Sequence, residues 1–195
     1  MATRQQQKER TRRKLVAVAR ELFAEQGITT TRTVDVAKRA RVAHGTVFTH
    51  FPTRDDLVSA VLEEVVEQIV LRIHERVEAG AGIREVLQAH VQGLAEHEAF
   101  YARLVMEGPQ LPPQARTTLT GIQSVISFHL HHAAERERAE GHIRPVPQHL
   151  LFNTWIGLVH HYVCNRDQFA PGGSALERHG DDLIAHYLGL LVQTP

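Results

Sequence analysis

The spacing of apolar residues constrains the fold of this chain more than any other feature. After Thr53, apolar side chains recur at helical intervals through a long segment: Leu57, Val58, Val61, Leu62, Val65, Ile69, Ile73 and Val77. Such a series lies on one face of an α-helix, because the helix repeats every 3.6 residues. No segment of convincing length alternates apolar and polar residues as a half-buried strand does. The sequence therefore predicts an all-α fold.

Interruptions of this pattern mark the ends of the predicted helices. Gly27 ends the first helix and Pro52 the third, since both residue types terminate helices. Thr53 and Asp56 have the spacing of a capping box, which marks the start of the fourth. The predicted helices are 6–26, 33–40, 44–51, 53–79, 83–106 with a break near 97–98, 113–140, 148–167 and 175–192.

Charge is distributed unevenly along the chain. The 195 residues carry 22 basic and 22 acidic side chains, so the formal net charge is zero. Residues 1–54 nevertheless hold twelve of the bases and four of the acids, a net charge of +8, and residues 55–195 carry −8. This asymmetry is typical of a basic module that binds a polyanion, joined to an acidic module with another role. On charge alone, a solvated basic arm without a partner remains the alternative.

Length and charge together predict two domains. A chain of 195 residues lies above the usual size of one domain and is long enough for a substantial core. We expect a basic N-terminal domain over 1–54 and a larger acidic domain over 55–195, joined by the long helix 53–79.

Cysteine content and hydropathy predict a cytoplasmic protein. A single cysteine, Cys164, excludes an internal disulfide and fits a reducing compartment. No run reaches 18 apolar residues, and the polar, basic N-terminus lacks the apolar core of a secretory signal. We expect no membrane partner. A buried thiol beside Val163 is the expected state of Cys164 rather than a redox switch.

Residues 32–51 have the layout of a helix-turn-helix, in which a second helix enters the major groove of DNA. Four small or branched residues are spaced to pack the two helices together: Val36, Ala37, Val42 and Val47. The positions left facing outward on the second helix are polar or small, and Gly45 would let the backbone approach DNA closely. A plain helical corner has the same general pattern.

At this point the residues resemble a known family. The segments TRRKLVAVARELFAEQG and TVDVAKRARVAHGTVFTHFPTRDDL look like the N-terminal domain of the TetR family of bacterial transcriptional regulators. The resemblance is specific over about residues 8–68, where Gly-Thr-x-Phe/Tyr-x-His-Phe-Pro precedes a basic residue, two acids and leucine. It implies a homodimeric regulator, usually a repressor, with a three-helix DNA-binding domain and a helical C-terminal domain that binds an effector and dimerises.

Carried over by position, the resemblance implies a set of residues at or near DNA. Bases would be read mainly by the second helix of the motif, and Arg54 would contact phosphate. The implied DNA-binding residues are Thr33, Arg41, Ala43, His44, Gly45, Thr46, Phe48, Thr49, His50 and Arg54.

Four positions depart from the family pattern. Position 32 is usually threonine, which caps the second helix; here Arg32 stands there, so Thr31 or Thr33 is expected to take over the cap. The turn usually has glycine at 41, and Arg41 must adopt the same conformation or shift it. Position 44 is often lysine or arginine, and position 48 is often tyrosine, so His44 and Phe48 remove a fixed charge and a hydroxyl from the phosphate contacts.

The last two long helices are apolar on more than one side. In 148–167 one stripe contains Leu151, Trp155, Leu158 and Tyr162, and a second contains Phe152, Ile156, Val159 and Val163. The helix 175–192 has the same character. Because a surface helix needs only one apolar stripe, we expect these two helices to form a homodimer interface. Deep burial inside a monomer is the alternative.

Several side chains of the acidic domain are candidates for an effector site between helices, where apolar walls and a few polar groups meet. They are Tyr101, Met106, Phe128, His131, Trp155 and Tyr162. For each of them, ordinary core packing is the alternative.

Metal-dependent and enzymatic functions find little support. His129 and His132 share a helix face and His160-His161 lies on another helix, but no nearby cysteine or HExxH motif completes a ligand set. We predict no metal and no cofactor, and keep a metal-responsive sensor and a nonspecific architectural DNA binder as alternatives. No Gly-x-Ser-x-Gly elbow or phosphate-binding glycine loop is present, so we do not expect an enzyme.

Overall fold

The computed structural model describes residues 3–76 and 80–192, and all regular structure within those ranges is helical apart from one isolated bridge between Ile143 and Val192. The all-α prediction is confirmed. In chain order the helices are α1 (Arg4–Gln26), α2 (Thr33–Ala40), α3 (His44–His50), α4 (Arg54–Arg76), α5 (Ile83–Ala95), α6 (Glu98–Glu107), a 3₁₀ turn (Gly108–Gln110), α7 (Pro113–Ala139), α8 (Gln148–Cys164), α9 (Arg166–Phe169) and α10 (Ala175–Leu191).

Most helices begin and end close to the residues that the sequence predicted to start or stop them. Thr53 and Asp56 form the predicted capping box, with the Asp56 N–H donating to the Thr53 hydroxyl at 3.1 Å and the Thr53 N–H donating to Asp56 Oδ2 at 2.8 Å. The break near 97–98 separates α5 from α6. The predicted contribution of Val77 and the predicted end of the long helix at 79 lie outside the described residues.

The helix predicted over 148–167 is wrong at its C-terminal end. It ends at Cys164, and a separate turn, α9, follows. Asn165 adopts a non-helical conformation, φ −110° and ψ 26°, and its amide donates to the His161 carbonyl at 2.8 Å. An asparagine side chain that bonds to the backbone offers an alternative to continuing the helix.

One hydrophobic core runs through the molecule, including across the predicted division at residue 54. The α1 residues Leu15, Ala19 and Phe23 are buried against α2, α4 and α6. Because α4 packs on α1 and also on α5 and α7, it joins the N-terminal helices to the larger bundle. The division into 1–54 and 55–195 therefore stays a prediction.

Buried polar groups inside the bundle are paired. Trp155 is fully buried on α8 and its indole N–H donates to His90 Nδ1 of α5 at 3.0 Å. The Tyr187 hydroxyl of α10 donates to the Leu151 carbonyl at 2.6 Å. Since an unpaired polar group in this environment is costly, these bonds fix how α5, α8 and α10 meet.

The helix α6 connects the bundle to the α1–α2 region through polar contacts at both of its ends. At its start, the buried carboxylate of Glu98 accepts hydrogen bonds from the backbone of Ala175 and Leu176, each at 2.9 Å, at the beginning of α10. At its end, Glu107 accepts from the backbone N–H groups of Ile28 at 3.2 Å and Thr29 at 2.7 Å.

Candidate nucleic-acid interface

The turn between α2 and α3 has the geometry that the motif requires. Arg41 occupies the left-handed region, φ 55° and ψ 48°, which glycine adopts without strain. Its N–H donates to the Lys38 carbonyl at 3.1 Å, and the Val42 N–H donates to the Ala37 carbonyl at 3.0 Å. This pair of bonds is a Schellman motif, which ends α2 and redirects the chain into α3. Of the two outcomes that the sequence left open, Arg41 adopts the glycine conformation and does not shift the turn.

The start of α2 differs from the expectation for its cap. Neither Thr31 nor Thr33 takes over from the missing threonine at 32. The Thr31 side chain is buried and donates to the Gly27 carbonyl at 2.7 Å, inside the α1–α2 connection. Of the two hydrogen bonds that make up a capping box, only the one from the N3 side chain is present: the Arg32 N–H donates to Asp35 Oδ2 at 3.3 Å.

Thr33 instead lies against the first residue of α3. Its hydroxyl is 3.0 Å from Nε2 of His44, so the N-termini of the two motif helices are joined by one hydrogen bond. The His44 ring also meets the edge of Phe48, with ring centroids 5.1 Å apart. Both Phe48 and His44 are exposed, and Phe48 is 44% exposed. This arrangement orients the His44 ring on the outer surface of the motif.

The outer face of α3 carries most of the residues implied at DNA. Ala43, His44, Gly45, Phe48 and Thr49 are exposed. Thr46 and His50 are half-buried. Val47, on the opposite side, is fully buried in the core. A side chain added at Gly45 would meet no atom within 4 Å, so packing within the chain does not require glycine there.

His50 stands at the boundary between α3 and the N-terminal part of α1. Burial, followed by the positive charges of Lys8 and Arg12, lowers the pKa of its imidazole. Its Nδ1 atom is buried and has no hydrogen-bond partner among the described residues. Arg12 also lies over the ring of Phe51, 5.2 Å from the ring centre. The two cations that disfavour a charged His50 are therefore part of the basic surface beside α3.

Arg54 is committed largely to the α1–α2 connection. Its Nε donates to the Thr31 carbonyl at 3.2 Å, and its Nη2 contacts the Ile28 carbonyl. The side chain retains 34% exposure and lies 3.9 Å from Asp55. Its expected contact with phosphate stays a prediction.

One exposed residue on this surface escaped the sequence reasoning. Val34, in the first turn of α2, is 47% exposed beside Thr33. Its offset of two positions from buried Val36 is the indication that it faces away from the core, since a helix brings i and i+2 to different faces.

The residues predicted at an effector site do not line one cavity. Phe128 and His131 of α7 both line an open groove of about 380 Å³ between α7 and α8. Trp155 is buried in the bundle interior, where it is hydrogen-bonded to His90. Tyr101 is also buried, with its hydroxyl 2.9 Å from Nε2 of His160, and burial raises the pKa of the tyrosine. The remaining two lie elsewhere: Met106 is 46% exposed on α6, and Tyr162 stacks on the Phe169 ring.

The histidines of α7 meet a histidine of α4. The rings of His74 and His129 have centroids 5.7 Å apart, and burial lowers the pKa of His129, with His74 and His132 adding to the effect. Within residues 3–76 and 80–192, no group of three or more His, Cys, Asp or Glu side chains is arranged to hold a metal ion. No helix in the described ranges is long and apolar enough to span a membrane.

A left-handed turn between two short helices, with an exposed second helix beside basic residues, is the arrangement of a helix-turn-helix. Comparison with known proteins identifies which kind. Residues 15–61 match the family model described as bacterial regulatory proteins of the tetR family. The resemblance to the TetR family that the sequence predicted is therefore confirmed over residues 15–61.

Curated relatives support the same assignment. The HTH-type transcriptional repressor Rv3405c of Mycobacterium tuberculosis is 37% identical over 94 residues, which cover 48% of this chain and 46% of the relative. The HTH-type transcriptional regulator LuxR of Vibrio harveyi is 38% identical over 74 residues, covering 38% and 36%. These matches thus span about half of the relatives' own length or less.

Solved structures resemble the whole fold. The ketosteroid transcriptional regulator KstR2 of Mycobacterium tuberculosis has a TM-score of 0.77 at 20% identity, covering 94% of this chain and 95% of that chain. A transcriptional regulator from Saccharomonospora viridis, solved in complex with choline, has a TM-score of 0.78 at 18% identity, covering 95% and 100%. At this level of identity the likeness shows the fold alone.

Proposed function

We propose that the protein is a sequence-specific transcriptional regulator, acting as a repressor that a small-molecule effector releases from its operator. The observation that carries the proposal is the exposed face of α3, fixed in orientation by the Arg41 turn and by the Thr33–His44 contact. Phosphate contacts from the basic N-terminal residues would position the domain, and α3 would read base edges. This is a regulatory rather than an enzymatic role, and it places the protein in the cytoplasm with its DNA.

The regulator is proposed to work as a homodimer through α8 and α10. These two helices pack against each other, and each carries an exposed leucine and an exposed glycine. Leu150 and Leu190 are 49% and 42% exposed. A side chain added at Gly157 or Gly189 would meet no atom within 4 Å, which leaves room for the helices of a second copy to approach. Two DNA-binding domains would then reach major grooves about 34–36 Å apart.

A paired substitution tests the dimer. Gly157→Leu adds a bulky side chain to the proposed interface, whereas Gly121→Leu adds the same side chain to α7, where it also meets nothing in the monomer. We expect sedimentation analysis to give a monomer for Gly157→Leu and a dimer for both Gly121→Leu and the parent protein. A dimeric Gly157→Leu protein would refute the interface.

The effector is proposed to bind in the C-terminal bundle, with Phe128 and His131 on the groove between α7 and α8 as its first candidates. A structural neighbour is described as a complex with choline and another as a ketosteroid regulator, so chains of this fold are associated with chemically different small molecules. Release of DNA requires that the effector bind one arrangement of the two DNA-binding domains more tightly than the other.

DNA selection tests the proposed specificity directly. Duplexes selected from a random pool by the full-length protein are compared with unselected duplexes across a salt titration. A specific regulator is expected to prefer the selected sequence by about a thousandfold or more. Equal affinity for both, with the same salt slope, would instead identify a nonspecific architectural binder. Metal analysis of protein purified without a tag addresses the metal-sensor alternative.

A further inference from the structure

A cleft lies where the DNA-binding helices meet the bundle. Its volume is about 310 Å³, at the lower end of the range of small-molecule sites. One wall is formed by α1, and the other by the α5–α6 junction together with α9 and the connection that precedes α10. It is separate from the groove between α7 and α8.

Two arginines on opposite walls have hydrogen-bonding capacity left over. Arg20 of α1 contacts Glu64 at 3.2 Å and Gln68 at 3.5 Å, both through Nη1. Arg166 of α9 has its Nε 4.0 Å from Glu98, too far for a hydrogen bond. Their side chains are 28% and 27% exposed. Among the described residues, the other N–H groups of these two guanidiniums make no hydrogen bond, so they can bind an anion.

The carboxylates beside the cleft are mostly occupied. Glu98 is buried and accepts hydrogen bonds from Ala175 N–H, Leu176 N–H and the Ser174 hydroxyl, the last at 2.5 Å. Glu96 pairs with Arg72 at 3.2 Å. Of the three carboxylates on the cleft, only Glu21 has no hydrogen bond or ion pair with the part of the chain that the structure describes.

His97 adds a polar group without adding charge. Burial and the nearby positive charge of Arg20 lower the pKa of its imidazole, with Glu96 opposing them, so the neutral form is favoured. The uncharged part of the cleft consists of short apolar side chains and one ring: Ala24, Ala95, Ala99 and Phe100.

From this arrangement we propose that the cleft binds a small organic carboxylate, with its carboxylate on Arg166 and Arg20 and its short apolar body on the alanines. Guanidinium groups bind carboxylates through paired, charge-assisted hydrogen bonds, which gives this head group its advantage over a neutral one. A simple organic acid and an amino acid share the carboxylate. They differ in the ammonium group of the amino acid, from which the Glu21 carboxylate could accept a hydrogen bond.

Occupation of the cleft would act on DNA binding, a consequence that rests on the proposed function. The ligand would contact α1 on one side and α6 and α9 on the other. The N-terminal part of α1 also carries the basic residues that lie beside α3. A ligand that bridges these walls favours the arrangement in which they lie closest, and so changes the population competent to bind DNA.

The test uses three probes of one carbon skeleton with the full-length protein: 4-methylpentanoate, leucine and 4-methylpentanamide. Binding is followed by thermal unfolding and by chemical-shift titration, without DNA. We expect saturable binding of 4-methylpentanoate, and at least tenfold weaker binding of the amide, since a hydrogen bond to a charged group is worth about a factor of ten or more. If leucine binds as tightly as 4-methylpentanoate, the ligand is an amino acid. If leucine binds much more weakly, the ligand is a simple organic acid.

Matched variants locate the site. Arg166→Gln is expected to weaken 4-methylpentanoate binding about tenfold, whereas Arg178→Gln, an exposed arginine on α10 outside the cleft, leaves it unchanged. Ala99→Leu fills the apolar part, leaves both arginines in the sequence and is expected to abolish binding, which keeps the test valid if Arg166→Gln fails to fold. No binding of the acid or of leucine to the parent protein, or equal losses in Arg166→Gln and Arg178→Gln, would overturn the proposal.

A separate arm isolates the regulatory consequence. The selected DNA is titrated with protein in the presence and absence of saturating 4-methylpentanoate. If the ligand changes the DNA affinity of the parent protein but not that of Ala99→Leu, the cleft is coupled to DNA binding. If the affinity of the parent protein is unchanged, the coupling is refuted but the proposed ligand site is not. A protein that binds 4-methylpentanoate but has no preferred DNA sequence would contradict the proposed function alone.

Discussion

His90 provides a sharp test of the bundle's internal packing. The side chain is completely buried, and its Nδ1 accepts the indole N–H of Trp155 at 3.0 Å. A proton on Nδ1 would break that bond and place two N–H groups against each other. Burial, followed by the nearby His160, lowers the pKa of His90 from 6.5 to about 3. The folded protein therefore holds this imidazole in its neutral form through the mildly acidic range.

The sign of the pH effect follows from that difference. The unfolded chain takes up a proton on His90 near pH 6.5, whereas the folded chain does not do so until about pH 3. Stability from this residue is therefore complete above pH 6.5 and decreases as the pH falls below it. Each pH unit costs about 1.4 kcal/mol, so at pH 5 the loss attributable to His90 is about 2 kcal/mol of unfolding free energy.

The assay is urea unfolding at pH 8 and at pH 5, for the parent protein and for His90→Asn. Asparagine cannot titrate, and its amide oxygen can accept the Trp155 N–H in place of Nδ1. We expect the parent to lose about 2 kcal/mol more than the variant between the two pH values. His149, an exposed histidine of α8, gives the control, since His149→Gln should keep the parent's pH dependence. Equal losses in the parent and in His90→Asn would refute the reasoning, whatever the absolute stability of the variant.

Three further substitutions test the interface and the helix contacts. Thr46→Ala should weaken binding to the selected DNA more than to random DNA in fluorescence anisotropy, and an equal loss on both would count against base reading by Thr46. Thr33→Val removes the hydroxyl next to His44 and should lower DNA affinity several-fold while changing the free energy of unfolding by about 1 kcal/mol or less; unchanged affinity would show that the contact does not orient His44 for DNA. Glu98→Ala should cost about 3 kcal/mol of unfolding free energy, because it leaves the buried start of α10 without its acceptor, whereas exposed Glu177→Ala in the first turn of the same helix should cost less than about 1 kcal/mol; equal effects in urea unfolding would refute the assigned role of Glu98.

Local features of the sequence were sufficient for the helices and for the motif. The apolar spacing, together with Gly27, Pro52 and the Thr53–Asp56 box, placed most helix ends within a few residues. These features work because a helix end depends on neighbours in the sequence. The end of α8 was wrong because Asn165 bonds back to the helix within an otherwise apolar run.

Contacts between distant residues could not be read from periodicity. Tyr101 and Trp155 are candidates for a ligand site on residue type alone, yet the fold gives each a partner inside the chain, His160 and His90. Nothing in the local sequence of Glu98 indicates that it accepts hydrogen bonds from a helix that begins at Ala175. Such pairings depend on the packing of whole helices, which a linear pattern does not specify.

The polar contacts of α6 bear on how the bundle would influence DNA binding. At the far end from Glu98, Arg103 donates to the Ala24 and Glu25 carbonyls, each at 3.4 Å, and Glu107 binds the Thr29 backbone at 2.7 Å. Apolar contacts between helices are non-directional and tolerate small sliding movements, whereas hydrogen bonds weaken steeply when their angles change. A displacement of α6 would therefore be transmitted to the α1–α2 connection through Arg103 and Glu107 before the surrounding core had to repack. Because that connection leads directly into α2, these charged side chains of α6 contribute, together with the apolar contacts around them, to the position of α3 relative to the bundle.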